Sequence, residues 1–205
     1  MQGTLPLIKT KLIVPGLQEQ WIRRAKLSKK MKAITEKPLT IIQAGAGYGK
    51  STALALHVKD QNQSCCWYTI TSSDDDILPF LSYLTASIQT LFPDFGHELI
   101  TYMKKMDRYI REEELSMLSS LFINETLQIP EKIIVILDDF HAIEHSYHIN
   151  VWLEKLLEHM PEHLHLVIST RTKPGWKVLA KLKARNELNE ISKADLIFEI
   201  GRAHV

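Results

Sequence analysis

Short runs of consecutive apolar residues divide the chain, and they indicate buried strands. The clearest run is KIIVILDD at residues 132–139, where β-branched and other apolar residues follow one another without alternation. Similar runs are LTIIQA at 39–44, CCWYTI at 65–70 and LHLVISTR at 164–171, and a short last strand is predicted near 196–198. Because uninterrupted apolar runs are typical of strands buried on both faces, they favour a parallel sheet.

Segments with helical patterns separate these runs. The first, residues 18–36, places apolar residues among many basic ones and predicts an amphipathic helix with a basic face. Further helices are predicted after the first strand and near 77–91, 112–127, 150–159 and 177–185. Strands that alternate with helices predict an α/β fold, with a parallel sheet of about five strands and helices on both faces. In such sheets, ligands bind beyond the carboxyl ends of the strands.

Composition narrows the possible functions. The 205 residues include 25 Lys and Arg against 24 Asp and Glu, so the net charge of +1 gives no bulk attraction for nucleic acid. The two cysteines, Cys65 and Cys66, are adjacent, which excludes a disulfide scaffold. No stretch approaches the roughly 20 apolar residues of a membrane helix, and the N-terminus lacks the apolar core of a signal peptide. The sequence therefore predicts a cytoplasmic protein without a membrane partner.

A glycine-rich segment joins the first strand to the following helix. Residues 44–52 are A-G-A-G-Y-G-K-S-T, the Walker A pattern of phosphate-binding loops with alanine at its first position. Glycines at 45, 47 and 49 permit positive φ, so that successive N–H groups converge on phosphate oxygens beside a helix N-terminus. We expect Lys50 to face solvent without nucleotide and to reach the β- and γ-phosphates, and Ser51 to bind Mg²⁺. The predicted nucleotide-binding residues of this segment are Ala44, Gly45, Ala46, Gly47, Tyr48, Gly49, Lys50, Ser51 and Thr52. The alternative is a glycine-rich turn that binds nothing.

Polar residues at the ends of two later strands complete a candidate site. Asp138, at the end of an apolar strand, is the acid of a Walker B pattern and is expected to hold Mg²⁺ directly or through water. Asp139 is expected to polarise the attacking water. Helix capping or turn formation is the alternative for both acids. Arg171, after the 164–171 run, is expected near the γ-phosphate as a second catalytic residue, and an ordinary surface arginine is its alternative.

Several segments together carry a family resemblance. They are L-I-K-T-K-L-I-V-P, I-R-R-A-K-L, Q-A-G-A-G-Y-G-K-S-T, C-W-Y-T-I, V-I-L-D-D-F-H, V-I-S-T-R-T-K-P and D-L-I-F. In these segments the chain resembles the MalT-like ATP-dependent transcriptional regulators of bacteria, large LuxR-type members of the STAND class of signalling ATPases. The resemblance extends from about residue 5 to residue 198, and the G-Y-G-K-S and D-D-F-H strings are its most specific parts.

The resemblance implies a P-loop NTPase domain that binds ATP or ADP with Mg²⁺ and works as a switch, with slow hydrolysis. It implies an ADP-bound resting form and an ATP-bound form that self-associates in the full-length protein. Arg23 is expected to contact the base or ribose, although a basic helix face explains it nearly as well. DNA binding is expected to belong to a C-terminal domain that this chain lacks. A free-standing P-loop ATPase or kinase is the alternative function.

The pattern divides the chain into three parts. Residues 1–37 form an arm and basic helix, and residues 38–198 form the nucleotide-binding domain. Residues 199–205, EIGRAHV, can be encoded by a string that resembles a sequencing adapter, so we expect an artificial tail on a longer natural protein. The H-A-I-E-H string at 141–145 matches an inverted zinc-protease pattern, but it follows the Walker B acids directly, and zinc chemistry is not favoured.

Overall fold

Five parallel strands form a single sheet in the order β2-β3-β4-β1-β5. The computed structural model describes residues 6–16, 25–62, 64–106 and 109–197. The strands are β1 (Leu39–Gln43), β2 (Cys66–Thr69), β3 (Ile133–Asp138), β4 (Leu164–Thr170) and β5 (Leu188–Ser192). This arrangement confirms the predicted α/β P-loop NTPase fold with a parallel sheet of five strands.

Helices connect the strands and cover the sheet. They are α1 (Ala25–Lys32), α2 (Lys50–Asp60), α3 (Ile77–Gln89), α4 (His97–Met103), α5 (Glu112–Thr126), α6 (Tyr147–Glu158), α7 (Val178–Ala184) and α8 (Lys193–Leu196). The described residues also form 3-10 turns at Lys9–Leu12, Ala33–Thr35, Ser72–Asp74 and Phe140–Ala142. None of the helices found in the described ranges has both the length and the apolar character needed to cross a membrane.

Two apolar clusters lie on the two faces of the sheet. The larger one joins alternate strand residues to helices α3, α4, α5, α6 and α7, and Phe80, Phe122 and Trp152 form its aromatic centre. The smaller one joins the other strand residues to α1, α2 and α8. Because both faces are covered, every residue of β3 and β4 is buried, which explains the unalternating apolar runs of the sequence.

The strand register brings the carboxyl ends of β1, β3 and β4 together. Gln43, the last residue of β1, pairs with Thr170, the last residue of β4. On the other side of β4, Leu137 of β3 pairs with Ile168. The segments that follow these three strands therefore start at one edge of the sheet, where ligands of such folds bind.

Two predicted elements differ from the structure. The last strand is β5 at Leu188–Ser192, and the prediction of a strand near 196–198 was wrong, because Lys193–Leu196 forms the short helix α8. The helix predicted over 18–36 is α1 followed by a 3-10 turn that ends at Thr35, and residues 17–24 lie outside the described ranges. Helix α4, between the two predicted helices at 77–91 and 112–127, was not predicted.

Candidate functional site

The glycine-rich segment forms the loop between β1 and α2, as the sequence predicts. Gly47 and Gly49 have φ values of +77° and +72°, a conformation that residues with a side chain rarely adopt. Helix α2 then begins at Lys50, with Gly49 as its N-cap. Gly45 does not share the positive φ expected for it. A Cβ at this position would lie 3.4 Å from the Tyr48 ring, which is ordinary van der Waals contact, so neither φ nor space requires glycine there.

The Tyr48 ring also contacts the C-terminal part of the domain. The Lys193 ammonium, at the start of α8, lies 4.6 Å from the centre of this ring, within the range of a cation–π interaction. Helix α8 is tied in turn to α1, because Lys30 Nζ donates a hydrogen bond to Asp195 Oδ2 at 2.7 Å. The candidate loop is thus linked through α8 to α1. No local pattern in the sequence marks Lys193 for this contact.

Lys50 lies inside the loop, so the expectation that it faces solvent was wrong. Only 6% of the residue is exposed, and its ammonium donates hydrogen bonds to the carbonyl oxygens of Ala44 at 2.9 Å and Gly45 at 3.0 Å. Burial lowers the pKa of Lys50, an effect that the nearby charges of Asp139 and Asp138 oppose. The hydrogen-bond partners of the buried Lys50 ammonium are therefore two carbonyl groups of the loop itself.

Ser51 and Asp138 bring the two motifs into direct contact. The Ser51 hydroxyl donates a hydrogen bond to Asp138 Oδ1 at 2.9 Å. Asp138, the last residue of β3, is only 2% exposed, and this burial raises the pKa of its carboxyl group. The hydroxyls of Ser51 and Ser169 act in the opposite direction. The Ser169 hydroxyl acts through its dipole, because Ser169 Oγ makes no hydrogen bond with a described residue.

Asp139 differs from Asp138 in conformation and exposure. Its φ of +60° and ψ of +37° place it in the left-handed region, between the end of β3 and the 3-10 turn at Phe140–Ala142. Its side chain is 45% exposed, and Asp139 Oδ1 lies 3.7 Å from His141 Nδ1. The two adjacent acids therefore have separate environments, one buried against Ser51 and the other open to solvent.

Arg171 begins the exposed segment that follows β4. Its charge lowers the pKa of both Lys50 and His141. The strand that it follows ends beside Gln43 of β1. The structure brings Lys50, Ser51, Asp138 and Asp139 to one edge of the sheet, and Arg171 follows the neighbouring strand β4. Their functional roles stay predictions. Arg23, the residue predicted to contact the base or ribose, lies outside the described residues.

The zinc pattern at 141–145 is not arranged as a metal site. His141 lies in a 3-10 turn, and the His145 side chain is 95% exposed. Within the described parts of the chain, no group of three or more His, Cys, Asp and Glu side chains has the geometry to hold a metal ion.

Comparison with known proteins places this arrangement in a family. The family model described as Nephrocystin 3, N-terminal, matches residues 18–171. The chain belongs to this family. The match contains the glycine-rich loop, the two acids and Arg171, so the whole candidate site lies within the shared region.

The chain is also similar to curated bacterial regulators. It is 30% identical over 195 residues to the HTH-type transcriptional regulator MalT of Yersinia enterocolitica, covering 94% of this chain and 20% of that protein. MalT proteins of Yersinia pestis and Yersinia pseudotuberculosis match with the same identity and the same coverage. The chain spans about a fifth of the length of these relatives. These matches confirm the resemblance to MalT-like regulators.

Proposed function

We propose that this chain is an ATP- and ADP-binding switch domain of a bacterial, signal-responsive transcriptional activator that works in the cytoplasm. The observation that carries the proposal is the hydrogen bond from Ser51 to Asp138, which joins the Walker A loop to the Walker B strand. A glycine-rich turn with no ligand has no need of a carboxylate held at this position. The similarity to proteins named transcriptional regulators supports the regulatory part of the proposal.

The loop and Lys50 would bind the phosphates. The backbone N–H groups of residues 45–50 and the start of α2 offer donors and a favourable dipole for an anion. Lys50 would exchange its hydrogen bonds with Ala44 and Gly45 for bonds to the β- and γ-phosphates. Since these two carbonyls already satisfy the ammonium, binding replaces one set of partners by another and leaves no buried charge unpaired.

Ser51 and Asp138 fit a magnesium ion. Both offer the hard oxygen atoms that Mg²⁺ prefers, and the ion is octahedral with metal–oxygen distances of about 2.1 Å. Two neighbouring ligands of such an ion lie about 3 Å apart by that geometry, and Ser51 Oγ and Asp138 Oδ1 are 2.9 Å apart. Mg²⁺ at this position would neutralise phosphate charge when nucleotide is bound. Asp138 could also hold it through water.

Asp139 and Arg171 would act on the γ-phosphate. Asp139 is exposed enough to reach a water molecule, and its separation from the Ser51 contact leaves its carboxylate available to polarise that water. Arg171 would stabilise the charge on the phosphate oxygens. Arg23 remains the predicted contact for the base or ribose.

The division of the chain into parts, and the activities assigned to each part, are also proposals. We propose residues 38–198 as the nucleotide-binding domain and residues 1–37 as its arm. We assign self-association to the full-length protein and DNA binding to a separate C-terminal domain. We expect no sequence-specific DNA binding by residues 1–198, because the DNA-reading helices are assigned to that separate domain. The net charge of +1 also supplies little of the phosphate attraction that drives non-specific binding. The artificial tail at 199–205 stays a prediction, because those residues lie outside the described ranges.

Two measurements test the proposal. Calorimetric titration with ATP and ADP, with and without Mg²⁺, should show binding of both nucleotides, and no binding of either would contradict the proposal. Hydrolysis measured under single- and multiple-turnover conditions then distinguishes a switch from the alternative of a free-standing ATPase or kinase. A switch should hydrolyse bound ATP slowly, whereas rapid multiple turnover or transfer of phosphate to an acceptor would favour the alternative.

A further inference from the structure

The two strands beside β1 each place a basic residue next to the glycine-rich loop. Gln43, the last residue of β1, pairs with Thr170 of β4 on one side and with Ser192 of β5 on the other. The residue that follows each partner is basic, Arg171 after β4 and Lys193 after β5. Because adjacent strands lie about 4.8 Å apart, the backbones of these two basic residues are about 10 Å apart. The loop between them is therefore flanked by positive charge on both sides.

The Lys193 side chain is directed towards the loop and is bound there only weakly. Its ammonium lies 4.6 Å from the centre of the Tyr48 ring. Lys193 is exposed, and among the residues that the structure describes it has no hydrogen bond and no ion pair. A cation–π contact at an exposed site is weak compared with a charge-assisted hydrogen bond to a phosphate oxygen. The ammonium is thus held beside the loop and is able to exchange the ring for an anion.

Two other lysines of this region are already paired. Lys30 of α1 donates hydrogen bonds to Asp195 Oδ2 at 2.7 Å and to the Glu190 carbonyl at 2.9 Å. Lys50 donates to two carbonyl oxygens of the loop. Lys193 differs from both, because no oxygen atom of a described residue accepts a hydrogen bond from it. It offers a nucleotide a charge that is not already neutralised by a carboxylate.

The candidate magnesium site indicates how a nucleotide would lie across the loop. Asp138 ends β3, and the strand order β3-β4-β1-β5 places β3 and β5 on opposite sides of β1. Mg²⁺ bridges the β- and γ-phosphates in P-loop sites, so these two phosphates extend towards β3. The α-phosphate and the nucleoside then lie on the side of β5. Lys193 is the basic residue on that side, and Arg171 is the one on the side of the γ-phosphate.

We propose that Lys193 binds the α-phosphate of the nucleotide, on the side of the loop opposite to Arg171. The inference rests on the proposed function, because it adds a residue to the nucleotide site described there. On binding, the ammonium leaves the Tyr48 ring and donates hydrogen bonds to the α-phosphate oxygens. ATP and ADP share this phosphate, so Lys193 stabilises both bound forms equally. Arg171, which acts on the γ-phosphate, stabilises only the ATP-bound form.

Two substitutions and two nucleotides test this division. Lys193→Met and Arg171→Met each keep a long side chain and remove its charge, and calorimetry gives the affinities for ATP and ADP with Mg²⁺. Lys193→Met should lower both affinities by the same factor, on the order of tenfold, as expected when a charge-assisted hydrogen bond is lost. Arg171→Met should lower the affinity for ATP by a similar factor and that for ADP by less than about twofold. Lys193→Arg keeps the charge and should stay within about threefold of the wild type.

Two controls separate phosphate binding from other effects of the substitution. Lys29→Met removes the same charge from an exposed position of α1 and should leave both affinities unchanged, which excludes an effect of net charge alone. Raising the KCl concentration from about 0.05 M to about 0.5 M should reduce the difference between Lys193→Met and the wild type, because salt screens exposed charges. A difference that stays the same would show that Lys193 acts through the shape of the loop, and it would overturn the inference.

The remaining outcomes distinguish the inference from the proposed function. If the wild type binds neither nucleotide, the proposed function fails and the inference fails with it. If the wild type binds both and Lys193→Met binds them with the same affinities, only the inference is overturned. A loss confined to ATP would also overturn it, because the contact would then be with the γ-phosphate. Should Lys193→Met fail to fold by circular dichroism, Lys193→Gln, which keeps a polar side chain without charge, makes the same comparison.

Discussion

The Ser51 hydroxyl and the Asp138 carboxylate, 87 positions apart in the sequence, share a hydrogen bond of 2.9 Å. The parallel sheet makes this contact possible, because β1 and β3 are both neighbours of β4 and end at the same edge. The contact also gives Asp138, which burial would otherwise favour in its neutral form, a donor for its charged form. The contact therefore joins the glycine-rich loop directly to the end of β3.

Removing either partner of this contact should weaken magnesium-dependent binding. In Ser51→Ala and Asp138→Asn the affinity for ATP should fall in the presence of Mg²⁺, on the order of tenfold or more, because a ligand or its orienting partner is lost. Ser51→Thr keeps the hydroxyl and serves as the matched control. Fluorescence titration with and without EDTA measures the effect. A loss of affinity that is equal in EDTA and Mg²⁺ would show that neither residue acts through the metal.

The two adjacent acids should separate binding from hydrolysis. Asp139→Asn should bind ATP with nearly unchanged affinity, since its side chain is open to solvent and is not joined to Ser51. Its single-turnover rate should fall by about 10²- to 10⁴-fold, the usual contribution of a general base. Calorimetry and quenched-flow hydrolysis on Asp138→Asn and Asp139→Asn make the comparison. The assigned roles are wrong if both variants lose only binding.

A buried ion pair joins the N-terminal arm to the turn that follows β2. Lys11 Nζ lies 2.7 Å from Asp74 Oδ1 and also donates to Thr71 Oγ1 at 2.7 Å, with both charged side chains more than nine-tenths buried. Lys11→Met should lower the free energy of unfolding by about 3 kcal/mol, because it leaves the buried Asp74 carboxylate without its cation. Urea denaturation measures the change. Lys9→Met, at an exposed position of the same 3-10 turn, should change stability by less than about 0.5 kcal/mol, and an equal effect of both variants would contradict the account.

His165 should make the domain sensitive to mild acid. It is buried in β4, where its Nδ1 donates to the Lys37 carbonyl at 2.9 Å, and burial lowers its pKa from the ordinary value of 6.5. As the pH falls, His165 is therefore protonated at a higher pH in the unfolded chain than in the folded protein. The contribution of His165 to stability is complete above pH 6.5 and is lost as the pH falls towards the lower pKa of the folded state.

Because this loss of stability comes from protonation of the His165 imidazole, acid should destabilise His165→Asn less than the wild type. The asparagine amide keeps a donor for the Lys37 carbonyl but does not titrate. The free energy of unfolding should decrease less between pH 7.5 and pH 5.5 in the variant than in the wild type. Urea denaturation at three pH values gives both slopes, and the comparison does not depend on the absolute stability of either protein. Parallel pH dependences would show that His165 is not the titrating group.

The sequence predicts those strands and helices that are marked by the pattern of their own residues. The three central strands are buried on both faces, and their apolar runs mark them clearly. Strand β5 lies at the edge of the sheet and alternates between buried and less buried residues over L-N-E-I-S. Because it contains polar residues, it lacks the continuous apolar run by which the other strands are predicted. Helix α4 depends on a distant partner, since Glu125 Oε1 accepts hydrogen bonds from the N–H groups of Glu98 and Leu99. The pattern of apolar and polar residues in α4 does not indicate that contact.

The same distinction applies to the candidate site. The motif spacing predicts which residues meet at the sheet edge, because the order of strand, loop and helix is local. It does not predict that Lys50 folds back onto Ala44 and Gly45, or that Lys193 lies over the Tyr48 ring. These arrangements depend on the shape of the loop and on the position of α8, which only the folded chain defines.

Calorimetric titration of ATP and ADP into the wild type and Lys50→Ala tests the nucleotide-binding site most directly. The wild type should bind both nucleotides, and Lys50→Ala should bind neither at concentrations that saturate the wild type, because the phosphates lose their only predicted cation within the loop. Circular dichroism should show that the variant retains the fold, since Lys50 belongs to neither of the two apolar clusters that cover the sheet. Equal affinity of the two proteins for ATP would contradict the assignment of this loop as the nucleotide-binding site.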